Sequence, residues 1–146
     1  MKVEVKIDDS CKEPKVIVVT DELTDEVNLL LKRISNDTPQ VITGFHGEAV
    51  TILDQEDIIR IYAENGKVFA DTENGGYCIR LRLYELEERL DRNRFVRISN
   101  SEIINLKKVK GFDLSFSGTI CVTLSNGIKT YVSRRYVQKI KQILGI

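Results

Sequence analysis

The sequence predicts an α+β protein that is mainly β, in which a small ββα appendage at residues 1–40 precedes a β domain at residues 41–146. Three observations predict this. Apolar and polar side chains alternate over many short segments, as in half-buried strands. Glycine-containing turns separate these segments after residue 40. Only three stretches have the apolar spacing of an amphipathic helix.

The appendage is predicted to contain two strands and one helix. Residues 3–7 alternate between apolar and charged side chains, and residues 16–19 form a β-branched run. A helix is then expected after a cap at Thr20 or Asp21. Its apolar stripe consists of Leu23, Val27, Leu30, Leu31 and Ile34. Residues 35–39 (SNDTP) should end this helix and form the linker to the β domain.

The β domain is predicted from hairpins and two further helices. The clearest hairpin joins residues 120–124 to residues 128–132 through Asn126-Gly127, and Ile58, Ile59 and Ile61 with Val68 give another pair. The strand before the clearest hairpin is expected to point Phe112, Leu114 and Phe116 into the core. One short helix presents Leu83, Leu86 and Leu90 on one face. The last helix should begin at a Ser133 cap and bury Val137, Ile140 and Leu144.

Formal charge is zero overall but unevenly distributed. Residues 1–40 carry −3, residues 41–92 carry −5 and residues 93–146 carry +8. A last third of one sign is a candidate surface for a polyanion. The alternative is that the basic third folds against the acidic one.

Features of an enzyme are weak in this sequence. The only histidine, His46, stands beside Gly47 and fits a turn better than a catalytic base or a metal ligand. The three cysteines are far apart, which fits neither a zinc site nor a disulfide framework and favours a reducing cytoplasm. The N-terminus lacks the apolar core of a signal peptide, and no apolar run is long enough to cross a bilayer. We therefore expect a cytoplasmic protein that is not an enzyme, needs no cofactor or metal and does not insert into membranes.

Two polar segments in the basic third are candidate contacts. Arg134 and Arg135 follow Ser133 in the first turn of the last helix, where cations oppose the helix dipole and free N–H groups favour an anion. Arginine can bind a phosphate or a guanine edge with two hydrogen bonds, although solvated surface arginines are the simpler alternative. Asn100 and Ser101 interrupt an alternating run and could contact bases or phosphates, but such clusters are also ordinary turns.

These segments resemble the LytTR family of DNA-binding domains. Residues 95–105 (FVRISNSEIIN) are similar to the central motif of the family, and residues 124–136 (LSNGIKTYVSRRY) to its "NG…SRRY" ending. Upstream, residues 57–66 (DIIRIYAENG) and 82–90 (RLYELEERL) resemble its strand-and-loop and helix motifs. Order and spacing agree over residues 41–146, so several motifs carry the resemblance together.

The resemblance implies a bacterial transcription regulator built from several small sheets, which contacts successive major grooves of duplex DNA through loops. By position, Asn100 and Ser101 would be loop contacts and Arg135 a base reader, with Ser133 and Arg134 near phosphate. Lys67 is the candidate in a third loop. Ser99 stands where the family often has histidine. The resemblance does not cover residues 1–40, which are too short for a receiver domain, so phosphorylation control is not expected.

Two further expectations concern partners. The apolar surface of the appendage predicts a homodimer, unless the appendage only docks on its own β domain. The promoter sites bound by such a dimer would be repeated. Besides duplex DNA, two other roles remain open: a protein-interaction module whose basic C-terminal surface binds an acidic partner, and single-stranded RNA binding, for which Phe112, Phe116, Tyr131 and Tyr136 could stack on bases.

Overall fold

A computed structural model describes residues 1–35 and 41–146 of the chain. The chain divides into two compact units, Met1–Pro39 and Gln40–Ile146. Apart from Ser35, the predicted linker lies outside the described residues. Among the described residues, no helix is both long and apolar enough to cross a membrane.

The described part of the first unit, residues 1–35, contains one helix, α1 (Asp25–Ser35). The Thr24 hydroxyl accepts a hydrogen bond from the Val27 amide at 3.3 Å, so the helix begins after Thr24. The predicted cap at Thr20 or Asp21 is therefore wrong by three or four residues. At the other end, the Ser35 hydroxyl donates to the Leu31 carbonyl at 2.6 Å. Leu23 of the predicted apolar stripe precedes α1, whereas its other four members lie in the helix, and none of the α1 side chains is buried.

The prediction of two strands in the appendage is wrong. The structure has no strand at residues 3–7 or 16–19, and Val3, Val5 and Ile7 are 81–92% exposed. Alternation alone does not make a strand, because backbone N–H and C=O groups need a neighbouring strand and an isolated two-stranded ribbon is only marginally stable in water. The described part of the first unit is therefore irregular chain followed by a helix, not a ββα unit.

The second unit confirms the predicted multi-sheet β architecture. One antiparallel sheet has seven strands in the order β2-β1-β5-β4-β3-β7-β6, and a second has three in the order β10-β9-β8. The strands are β1 (Ile42–His46), β2 (Ala49–Leu53), β3 (Ile58–Glu64), β4 (Lys67–Thr72), β5 (Gly75–Ile79), β6 (Phe95–Ser99), β7 (Glu102–Asn105), β8 (Val109–Asp113), β9 (Ile120–Leu124) and β10 (Lys129–Val132). Helix α2 (Leu83–Arg89) follows β5, and α3 (Arg134–Leu144) follows β10.

Two hydrophobic clusters hold this unit together. In one, the α2 side chains Leu83 and Leu86 and the following Leu90 pack on the seven-stranded sheet, against residues that include Ile61 and Ile103. In the other, strands β6 and β7 pack on the three-stranded sheet and on Ile140 of α3. The second cluster matters for function because it fixes the start of α3 beside the end of β6.

The predicted hairpins are confirmed. Strands β9 and β10 pair around Asn126-Gly127, where the Asn126 side chain accepts a hydrogen bond from the Ile128 amide at 3.1 Å and Gly127 has φ +85°. Strands β3 and β4 pair through Asn65 and Gly66, both at positive φ, as tight hairpins require.

The strand predicted before the β9–β10 hairpin is shorter than expected. Strand β8 ends at Asp113, so Phe112 is half-buried, whereas Leu114 and Phe116 are 49% and 44% exposed. The Asp113 carboxylate accepts hydrogen bonds from the amide and hydroxyl of Ser115, and this local turn competes with the ladder and ends the strand.

Both predicted helices of the β domain are confirmed. Leu83, Leu86 and Leu90 are buried on one side of α2, as expected. Ser133 occupies the residue before α3, but its side chain makes no capping hydrogen bond. Instead, the Ser133 amide donates to the Ile98 carbonyl at 2.9 Å, which joins the start of α3 to β6.

Candidate nucleic-acid interface

The three segments predicted to contact DNA lie at the same end of the second unit. Strands β3 and β7 are antiparallel with Tyr62 opposite Glu102, so the β3–β4 turn and the β6–β7 turn share one end of the sheet. A hydrogen bond of 2.8 Å from the Ala63 amide to the Ser101 carbonyl joins them. The start of α3 reaches the same end because Ser133 bonds to Ile98.

The β6–β7 turn is held in shape by Arg97. Its Nε donates to the Ser99 carbonyl at 2.7 Å and its Nη2 to the Asn100 carbonyl at 2.5 Å, while Nη1 pairs with the Glu87 carboxylate on α2. Asn100 and Ser101 are exposed at the tip of this turn. Charged hydrogen bonds of this kind are strong, so Arg97 holds the backbone of the turn in one shape.

The start of α3 presents two arginines beside that turn. Arg134 and Arg135 are both exposed, and no ion pair to a carboxylate is found for either within the described residues. The Arg134 guanidinium lies over Gly118, where an added Cβ would come 3.3 Å from Nε. Tyr136, which follows Arg135 on α3, donates its hydroxyl to the Asn100 side-chain oxygen at 3.4 Å. Contacts between α3 and the β6–β7 turn thus place arginine and asparagine on neighbouring tips.

Lys67 follows the third tip. The two-residue turn Asn65-Gly66 leaves Glu64 and Lys67 opposite each other at the ends of β3 and β4, and Lys67 is exposed. It therefore lies at the correct end of the sheet.

A partly buried ionic cluster lies behind the tips. One oxygen of Glu102 accepts a hydrogen bond from the Thr130 hydroxyl at 3.1 Å and pairs with Arg60 Nη1 at 3.3 Å. The Arg60 Nε in turn pairs with Asp71 at 2.6 Å. The second Glu102 oxygen is buried without a hydrogen-bond partner.

Opposing effects act on the pKa values of this cluster. Burial raises the pKa of Glu102, although the Thr130 hydrogen bond and the Arg60 charge oppose this rise. Burial works against the charge of Arg60, but the hydrogen bond to Asp71 and the two nearby carboxylates raise its pKa above the ordinary value.

Sequence reasoning missed the residues that shape the surface. Arg97 and Glu102 belong to the 95–105 segment, but their partners Glu87 and Thr130 are distant in sequence, so no local pattern signals the pairing. Asn105 ends the same segment, and it is fully buried. Its amide nitrogen donates to the Ile58 carbonyl at 2.8 Å and its side-chain oxygen accepts from the Lys107 amide, so its role is to join strands.

Comparison with known proteins agrees with this arrangement. The family described as "LytTr DNA-binding domain" matches residues 48–145, about two thirds of the chain. The chain belongs to the LytTr DNA-binding domain family. A solved LytTr DNA-binding domain from Bacillus cereus superposes with a TM-score of 0.70 over 73% of this chain and 98% of that one. At 21% identity, that likeness shows a shared LytTr fold.

Relatives of similar length also exist in Staphylococcus aureus. Proteins of strains COL and MRSA252, both named HTH-type transcriptional regulators, are 31% identical over 147 positions, covering all of this chain and 99% of each relative. In the described part of this LytTr chain, however, no two helices are joined by a short turn, because long β segments separate α2 from α3.

Proposed function

We propose that this LytTr protein is a bacterial transcriptional regulator that binds specific duplex DNA sequences through the tips of its β domain. The observation that carries the proposal is the convergence of three polar tips at one end of the sheet, joined by the Ala63–Ser101, Ser133–Ile98 and Tyr136–Asn100 hydrogen bonds. The family membership and the names of the Staphylococcus aureus relatives support the same function.

Each tip has a distinct proposed role. Arg135 is exposed and can give two hydrogen bonds to a guanine edge in the major groove, while Asn100 can pair in the same way with adenine. Ser101, Ser133 and Arg134 are suited to phosphate or sugar contacts, which fix the register of the protein on the duplex. Lys67, on the neighbouring hairpin, supplies a further phosphate contact.

An acidic protein partner is the first alternative for the basic surface. It needs only positive charge, whereas the observed surface combines arginine with an ordered asparagine turn. Such hydrogen-bonding groups of fixed geometry are what base reading requires. The duplex DNA proposal accounts for both features.

Single-stranded RNA is the second alternative, and one observation favours it. Phe116 and Tyr131 are exposed, although Phe116 was expected in the core. Exposed aromatic rings can stack on bases. These two rings pack edge to face with centroids 5.9 Å apart, so each partly occupies the surface of the other. Double-stranded DNA therefore remains the better ligand for this surface.

Selection of bound sites from random duplex DNA tests the proposal. We expect the full chain to enrich a defined sequence, to bind it in a saturable manner at moderate salt, and to prefer it over single-stranded RNA and over an acidic polypeptide. Failure to enrich any sequence, or displacement of the DNA by either competitor at equal concentration, would contradict the proposal.

We also infer that the first unit makes the regulator a homodimer that recognises repeated promoter sites. Leu23, Leu31 and Ile34 in and beside α1 expose apolar surface, which a second copy could cover. Sedimentation of the full chain should give a dimer mass, and a fragment of residues 41–146 should give a monomer mass. A monomer mass for the full chain at all micromolar concentrations would contradict dimerisation.

A further inference from the structure

Glu102 is an acidic residue beside the basic tips of the candidate interface. It directly follows the exposed tip residue Ser101, yet it is only 8% exposed. It lies in the cluster described above, in which Thr130 and Arg60 contact one carboxylate oxygen and the other oxygen has no partner. A buried carboxylate with one unsatisfied oxygen is a poor device for stability alone.

The position of Glu102 relative to the strands suggests a role other than stability. Its own strand, β7, begins where the Asn100-Ser101 tip ends. Thr130 lies on β10, which runs directly into Ser133 and the arginines of α3. Arg60 lies on β3, which runs into the hairpin that presents Lys67. One carboxylate thus contacts the strands that carry all three tips, and its bond to Thr130 links the seven-stranded sheet to the three-stranded sheet.

We propose that Glu102 is a positioning residue that fixes the spacing of the three tips, and thereby sets the preference for one DNA sequence; this rests on the proposed function. Base reading depends on this spacing, because two hydrogen bonds to a base edge tolerate little displacement. Phosphate contacts tolerate much more, because they depend mainly on charge.

If Glu102 acted only through its charge, its removal would strengthen DNA binding rather than reduce sequence preference. Glu102 is negative, so its removal should strengthen binding to every DNA by reducing repulsion of phosphates. A loss of sequence preference on its removal therefore reports its positioning role. A loss of folded protein would lower binding to selected and random DNA equally and would leave their ratio unchanged.

Three variants of the full chain test the proposal. Glu102→Ala removes the whole cluster contact, and Thr130→Val removes only the bond between the sheets at nearly constant volume. Glu102→Gln keeps an acceptor oxygen and serves as the conservative rescue. Thr123→Val, a half-buried threonine on β9, is the matched control. Affinities for the selected duplex and for a random duplex are measured side by side, with circular dichroism to confirm folding.

We expect Glu102→Ala and Thr130→Val to lower the ratio of selected to random affinity by about tenfold, a typical coupling between groups in contact. Glu102→Gln should recover part of that ratio, and Thr123→Val should leave it unchanged. Folded Glu102→Ala and Thr130→Val proteins that keep the wild-type ratio would overturn the proposal while leaving the proposed function intact. A wild-type protein without any preference would overturn both.

Discussion

The arginines of the candidate interface fall into two groups that differ in how they are held. Arg97 on β6 is mostly buried and is fully engaged with Glu87 and two carbonyl groups of the turn that it supports. Arg134 and Arg135 on α3 are exposed, and neither pairs with a carboxylate in the described residues. We infer from this difference that Arg97 stabilises the surface, whereas Arg134 and Arg135 are available to bind a ligand. Substitutions in the two groups should therefore fail in different ways.

Of the changes considered, salt should have the largest effect on affinity for duplex DNA, because it competes with the exposed cations of the tips for phosphate. If about six phosphates are neutralised, the affinity for duplex DNA should fall by roughly a thousandfold between about 50 and about 200 mM salt. Arg97 is already paired, so it should contribute nothing to this slope. Affinities measured by titration over this salt range provide the check, and an affinity independent of salt would contradict a phosphate-binding surface.

Arg97→Ala should damage the fold as well as binding. The substitution leaves the Ser99 and Asn100 carbonyls and the Glu87 carboxylate without their charged donor, and we expect the free energy of unfolding to fall by about 2 kcal/mol. Urea denaturation measures the change. Arg94→Ala is the control, because the one ion pair of Arg94 in the described residues is with the exposed Glu56 at 3.7 Å, and its loss should cost less than about 1 kcal/mol. Equal losses in the two variants would contradict the supporting role of Arg97.

Lys67→Ala should weaken binding without changing preference. A phosphate contact carries no sequence information, so affinity for selected and random duplexes should fall by the same several-fold factor and the salt slope should decrease by about one. Lys12→Ala removes an equal charge from the first unit and should change neither quantity. A loss confined to the selected duplex would show instead that Lys67 reads bases.

The smallest effect concerns pH and Glu102. Because burial raises the pKa of Glu102 in the folded protein above its ordinary value of 4.5, ionising this carboxyl costs more free energy in the folded protein than in the unfolded chain. The resulting stabilisation is complete below the unfolded pKa and is lost as pH rises through the folded pKa. The unfolding free energy of wild type minus that of Glu102→Gln should therefore decrease from pH ~4 to pH ~7. A difference that increases with pH would mean that the Arg60 ion pair outweighs burial.

Local patterns were enough to predict much of the β domain. Asn126-Gly127 and Asn65-Gly66 marked hairpins because few other residues adopt positive φ readily, and the leucine spacing of α2 marked its buried face. The same alternation failed at residues 3–7, where no partner strand is available. Sheet order could not be predicted either, since pairings such as β3 with β7 join segments about forty residues apart.

The candidate site was predictable in part. The family resemblance and the polar breaks identified Asn100, Ser101 and Arg135 as candidates, and the structure brings their segments together. Glu102 gave no local sequence signal, and its partner Thr130 lies 28 residues away. Such a contact depends on how two sheets pack, which a single sequence does not reveal.

The most direct test of the central claim is the effect of Arg135→Ala on binding to selected and random duplexes. Loss of a two-hydrogen-bond contact to a base should cost ~1–3 kcal/mol on the selected duplex and much less on random DNA, with no change in stability. Arg92→Ala, which removes an exposed arginine outside the three tips, is the control and should leave the ratio unchanged. Equal losses on both duplexes would make Arg135 a phosphate contact and would contradict sequence reading by this surface.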